Sequence, residues 1–157
     1  MKKKAGMIAV ILIYAAVAVI IAYLIILSGN YPTGTDTLGY LYEGNMLYDA
    51  IGKGNWYPRY DSLWFNGVQT MRYQAPLPVY FLAFCQWIAG GNDLDGYLVF
   101  VALVFYLGAL VWLYIGCRSN RPGLGVFLGM LWFFIPNNLY TLFGEGNLPR
   151  VLALVWM

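Results

Sequence analysis

An all-α integral membrane protein, a multi-span helical bundle with an external helical juxtamembrane loop after the first span, is the fold class this sequence predicts. Three observations predict it. Of 157 residues, 61% are hydrophobic and only 10% are charged, against about a quarter charged in a soluble domain. Neither Met7 to Leu27 nor Tyr97 to Gly116 contains a charge, and each run reaches the roughly 20 helical residues needed to cross a hydrocarbon core. Asp36, Glu43, Asp49, Lys53, Arg59, Asp61 and Arg72 gather in one polar stretch, Gly34 to Arg72, between apolar segments.

Residues 7–27 form the first span. Lys2, Lys3 and Lys4 precede it, which keeps the N-terminus cytoplasmic and places the loop 28–75 outside. A cleaved secretory signal has a shorter apolar region, of about 7 to 15 residues, followed by small residues. Ile26-Leu27-Ser28 is a poor cleavage site, so the segment reads as an uncleaved anchor. Ser28-Gly29-Asn30-Tyr31-Pro32 then breaks the helix. Thr35 or Asp36 caps a second helix that runs to about Ile51, where Gly52 and Gly54 stop it. At about 100° per residue, Asp36, Tyr40, Glu43 and Leu47 share one face, and Leu38, Leu41, Tyr42 and Asn45 share the opposite one. That pattern suits a helix lying on the membrane surface. Trp56, Tyr57, Tyr60, Trp64, Phe65 and Tyr73 crowd the rest of the loop. Such rings can form an interfacial belt or stack on sugar faces.

Pro76-Leu77-Pro78 opens an apolar segment, 76–90, with its prolines in the first turn. It is short for a span and can be re-entrant or interfacial. Spans follow at about 97–116 and 123–137. A loop through Asn137-Asn138 and Gly144 to Arg150 leads to Val151, where a further span begins and is cut at Met157. The 157 residues therefore read as one membrane module, the N-terminal part of a longer protein. If all three segments after the loop crossed, Arg118 and Arg121 would lie outside, against the positive-inside tendency. If 76–90 does not cross, those arginines are cytoplasmic and Glu145 returns to the side of Asp36.

Composition also excludes function classes. The chain has no histidine, so it carries no His-based triad and no His-ligated zinc site. Its net charge of +2 derives mostly from the leading lysines and gives no case for nucleic acid. Cys85 and Cys117 lie in or beside apolar segments and read as small buried hydrophobes rather than a disulfide.

Asp36 is the sharpest chemical candidate. As a helix cap it would contribute roughly 0.5–2 kcal/mol. Together with Glu43, two turns on, it can instead bind a divalent cation through oxygen or supply a general base. Glu145 sits between Gly144 and Gly146 and is easily approached. Asn147 can cap a following helix with Pro149 in its early turn. Arg150 would oppose that helix dipole unless an anion is near, so the segment is either a phosphate seat or a Glu145–Arg150 pair at the interface. Arg59 and Arg72 flank the aromatic cluster. They either snorkel to lipid headgroups or grip a lipid phosphate.

The pieces Gly34-Thr35-Asp36-Thr37, Tyr57-Pro58-Arg59-Tyr60, Trp64-Phe65-Asn66-Gly67, Pro76-Leu77-Pro78-Val79-Tyr80 and Gly146-Asn147-Leu148-Pro149-Arg150 carry a resemblance. The sequence resembles the GT-C fold membrane glycosyltransferases that use polyprenyl-phosphate sugars. It looks most like bacterial membrane proteins labelled 6-pyruvoyl-tetrahydropterin synthase-related. The resemblance implies a GT-C-like N-terminal module in the cytoplasmic membrane. It also implies transfer of a sugar from a polyprenyl-phosphate donor to an extracytoplasmic glycan, lipid or protein acceptor. Asp36 and Glu145 match the family's acidic positions in successive external loops, and would be catalytic and share a divalent cation, Mg or Mn. Glu43, Arg59, Arg72, Tyr73, Asn147 and Arg150 would contact substrate, with Arg72 and Arg150 on the lipid phosphate. Without histidines no pterin chemistry is implied. A complete active site is expected only in a longer chain. The rival class is a non-catalytic carrier or flippase component for lipid-linked saccharide, and a purely structural role is the third reading.

Overall fold

The computed structural model describes residues 2–29, 32–64, 67–73 and 75–156. Among them the chain is all-helical, apart from one isolated antiparallel bridge between Asp61 and Val68. Three helices are long and apolar enough to cross a membrane: Ala5–Leu27, Asp93–Arg118 and Pro122–Glu145. The helix Pro76–Ile88 is apolar but shorter. The chain divides into two compact units, residues 36–100 in one and 1–35 with 101–157 in the other.

In the unit made of residues 1–35 and 101–157, helix α1 (Lys2–Leu27) carries the first apolar run. Tyr14 is fully buried, and its hydroxyl donates to the Val126 carbonyl at 2.8 Å. Its ring lies 5.9 Å from that of Phe133. A hydroxyl inside an apolar run needs such a partner, because an unpaired buried group costs about 1–3 kcal/mol. Helix α5 (Asp93–Arg118) begins before the uncharged run, in the neighbouring unit. Asn92 Oδ1 accepts from the Asp95 amide at 3.0 Å, and Asp93 and Asp95 complement the positive helix end. Asn120, at φ 56°, ends α5, and Pro122 opens α6 (Pro122–Trp132). Between them Gly116 and Gly125 let two backbones touch: a Cβ built on Gly116 would lie 2.3 Å from Gly125 Cα.

Pro136 starts α7 (Pro136–Tyr140). It lacks the N–H that a continuous helix would direct to the Trp132 carbonyl four residues back. The buried Asn138 side chain supplies that donor, Nδ2 to Trp132 O at 3.2 Å. Helix α6 ends at Trp132 and Ile135 is extended, at ψ 117°, so the helix breaks before Pro136 and the Asn138 amide caps the freed carbonyl. Thr141–Glu145 form a π-helical turn rather than the loop the sequence suggests, closed by left-handed Gly146 at φ 68°. Helix α8 (Leu148–Leu154) follows. Cys117 is exposed, unlike buried Cys85, which corrects the reading of both thiols as buried; both are free.

The unit of residues 36–100 is built on α2 (Thr37–Gly52) against α4 (Pro76–Ile88), with the one-turn helix α3 (Thr70–Tyr73) between them in sequence. Gly44 allows the close approach, since a Cβ there would meet Leu82 Cδ2 at 2.8 Å. Leu47, Met71, Val79 and Ala83 form the core. The buried face of α2 is Thr37, Leu41, Glu43, Gly44 and Leu47. Glu43 therefore does not lie on an open polar face with Asp36, as the helical wheel suggests; it shares its side of α2 with apolar contacts. Apolar burial of about 25 cal/mol per Å² outweighs the preference of one carboxyl for water.

Candidate functional site

Gly34 and Thr35 are fastened to the π-helical turn of their own unit. The Thr35 amide donates to Gly144 O at 3.3 Å, and its hydroxyl donates to Glu145 O at 2.9 Å. Gly34, at φ +93°, leaves no room for a side chain: a Cβ would stand 2.4 Å from Gly146 Cα. Beside this junction a cavity of about 590 Å³ is lined by Leu24, Ile25, Ser28, Gly29, Pro32, Thr33, Gly34 and Phe143.

Glu145 receives Arg150 Nη1 on both carboxylate oxygens, at 3.1 and 2.9 Å. Asn147 caps α8, its Oδ1 accepting from the Arg150 amide at 3.1 Å. The pair answers the charge problem posed by Arg150 at a helix start, because Glu145 is the anion it needs. Of the two sequence alternatives for this segment, the ion pair is present.

Asp36 stands at the N-cap of α2, but its side chain makes no capping hydrogen bond, and it is exposed. The capping role expected of an aspartate here is thus not performed. Glu43 is 6% exposed, and its Oε2 has no hydrogen-bond partner. Burial pushes its carboxyl from the ordinary 4.5 up to about 7. Tyr40 is raised as well, first by burial and then by the charges of Asp36 and Glu43. Among the described residues no group of three or more His, Cys, Asp or Glu comes together.

Arg59 is exposed, and exposed Arg72 donates to Gln69 Oε1 at 3.2 Å. The Tyr73 side chain, Phe65 and Asn66 lie outside the described residues. Asp61 is the residue that sequence reasoning passed over. It is buried, accepts from Tyr42 Oη at 2.7 Å and from the Leu63 amide at 2.9 Å, and pairs through its backbone with Val68. The local signal was the Asp-Ser-Leu run, in which an aspartate can accept from the amide two residues on. Next to it Tyr42 lies against Trp64, with ring centroids 4.5 Å apart.

Comparison with known families matches residues 71–157 to a family described as 6-pyruvoyl-tetrahydropterin synthase related domain, a membrane protein. No curated protein and no solved structure matches the chain. The matched residues include α4, both later long apolar helices and the Glu145-to-Arg150 segment, and they make up more than half of the sequence. The chain belongs to the 6-pyruvoyl-tetrahydropterin synthase-related family of membrane proteins.

Proposed function

We propose that this chain, within its full-length protein, transfers a sugar from a polyprenyl-phosphate donor to an acceptor hydroxyl outside the cytoplasmic membrane. The observation that carries the reading is the uncommitted carboxylate of Asp36, exposed at a helix start and making no cap bond. In the reaction the acceptor oxygen bonds to the anomeric carbon. The bond from that carbon to the phosphate oxygen breaks, Asp36 takes the acceptor proton, and the polyprenyl phosphate leaves as an anion. Glu145 supports Asp36 through the chain, since its carbonyl holds Thr35, the preceding residue. Arg72, in the unit that carries Asp36, balances the charge that develops on the departing phosphate, and Arg59 completes the substrate contacts there.

The proposed orientation follows the charges: N-terminus cytoplasmic, loop 28–75 outside, α4 not crossing, and Arg118 and Arg121 cytoplasmic. The test is transfer from a polyprenyl-phosphate sugar by full-length protein in membranes. Asp36→Asn should lower the rate at least about a hundredfold, in the range of lost general-base catalysis. Transfer at the wild-type rate would remove Asp36 from the chemistry. Binding of polyprenyl phosphate that survives Asp36→Asn, with no transfer by either protein, would favour a carrier or flippase component.

A further inference from the structure

The hairpin of α5 and α6 carries a groove of about 390 Å³ beside its glycine contact. Trp112, Ile115 and Ser119 line it on the α5 side, Leu124 and Leu128 line it on α6, and Arg121 stands between them. The turn fixes the backbone of Arg121: its amide donates to Gly116 O at 2.8 Å, and its carbonyl accepts from the Gly125 amide at 3.1 Å. Arg121 is exposed, as is Arg118 three residues earlier. Trp112 lies seven residues before Ser119, and Leu128 seven residues after Arg121. The apolar walls therefore run about 10 Å along both helices from the polar end.

Charge at this end of the hairpin has one sign. The unit of residues 1–35 and 101–157 contains a single acidic residue, Glu145, and Arg150 holds both of its carboxylate oxygens. Glu145 also ends the apolar helical segment that Pro122 begins, so it stands at the far end from Arg121. Arg118 and Arg121 thus have no carboxylate of their own unit left to pair with, and among the described residues neither makes an ion pair. Two guanidinium groups without a protein anion stand at the mouth of an apolar groove.

We propose that this groove holds one anionic diacyl phospholipid of the surrounding bilayer, with its phosphate on Arg121 and an acyl chain between Trp112, Ile115, Leu124 and Leu128. Charge complementarity and shape select the occupant together. A guanidinium forks onto a phosphate, and basic pockets between spanning helices suit anionic head groups. Arg118 strengthens the attraction, and the Ser119 hydroxyl offers a hydrogen bond to the head. A soluble phosphate compound would use the arginines but leave the apolar walls empty. A zwitterionic lipid would fill the walls but bring its own cation to the arginines. The lipid is a resident of the bilayer and not a reactant, so the inference does not depend on sugar transfer.

The test uses the full-length protein in neutral detergent and phospholipids brominated on their acyl chains, which quench a tryptophan they touch. Quenching that disappears in Trp112→Phe reports the groove alone. Brominated phosphatidylglycerol should quench Trp112 with a Kd about fivefold or more below that of brominated phosphatidylcholine, the factor one basic residue contributes near an anionic head. Arg121→Gln should bring the two lipids to within about twofold of each other. Ser119→Phe fills the mouth of the groove and should raise the Kd for phosphatidylglycerol several-fold. Both substitutions alter exposed side chains, so the melting temperature should stay at the wild-type value. Equal affinity for the two lipids in the wild type would overturn the proposal and leave an ordinary boundary lipid. So would quenching unchanged by Trp112→Phe, a preference that survives Arg121→Gln, or full displacement of phosphatidylglycerol by inorganic phosphate.

Discussion

Glu43 is a carboxyl that the fold holds away from water, and its titration is a direct readout of that burial. In the unfolded chain it ionises near its ordinary 4.5, whereas in the folded protein it keeps its proton to about 7. Between those values the folded state holds a proton that the unfolded state has lost, so stability falls as pH rises. The decline should total about 3 kcal/mol and level off above neutrality. Glu43→Gln keeps the shape without the charge, and its melting temperature should be nearly flat between about pH 5 and pH 8. A variant as pH-sensitive as the wild type would locate the titration elsewhere. Asp61 predicts a second effect. Asp61→Ala leaves the Tyr42 hydroxyl and the Leu63 amide without an acceptor, and should destabilise the protein by about 1–3 kcal/mol, measured by thermal melting in detergent. Position 61 was legible only as one charge among several, because what makes it structural is Tyr42, 19 residues earlier on a different element. Asp36 and Glu145 were legible as candidates from their flanking residues, but the bidentate hold of Arg150 on Glu145 was left as one of two alternatives. Both readings fit that sequence segment equally well, and only side-chain geometry separates them.

Among the elements, the break at Pro136 follows a local rule. Proline ordinarily ends or kinks a helix, and the span was accordingly expected to stop near residue 137. Ile135 is extended there, the Asn138 amide caps the freed Trp132 carbonyl, and α7 with the π-helical turn carries the apolar path on to Glu145. Asn138→Leu should therefore cost about 1–3 kcal/mol even though leucine is more apolar. A melting temperature equal to the wild type would show that Trp132 O finds another donor. The turn between α5 and α6 obeys local rules too, with left-handed Asn120 following α5 and Pro122 opening α6. Its Gly116–Gly125 contact makes a sharper expectation: Gly125→Leu should destabilise by about 1–3 kcal/mol or more, because backbone rather than a flexible side chain stands in the way. The facing of α2 was misread by its wheel. Periodicity reports where apolar residues lie, but not that Gly44 would bring Leu82 against the Glu43 side of the helix.

For the molecule as a whole, class and composition were plain in the sequence: an all-helical membrane protein with, among the described residues, three helices long enough to span. The division into residues 36–100 and the remainder was not legible, because its boundary falls inside α5, in the middle of an apolar run. Family membership makes this a 6-pyruvoyl-tetrahydropterin synthase-related membrane protein. Sidedness is checked by a membrane-impermeant maleimide on intact cells. Exposed Cys117 lies next to Arg118 and should react only after permeabilisation. Asp36→Cys should react from outside.

The measurement that bears most directly on the reaction is sugar transfer from a polyprenyl-phosphate donor by the full-length protein, wild type against Asp36→Asn, at matched expression and melting temperature. We expect transfer by the wild type, and a loss of at least about a hundredfold in the variant with the donor still bound. Equal rates in the two proteins would contradict a role for Asp36 as the base.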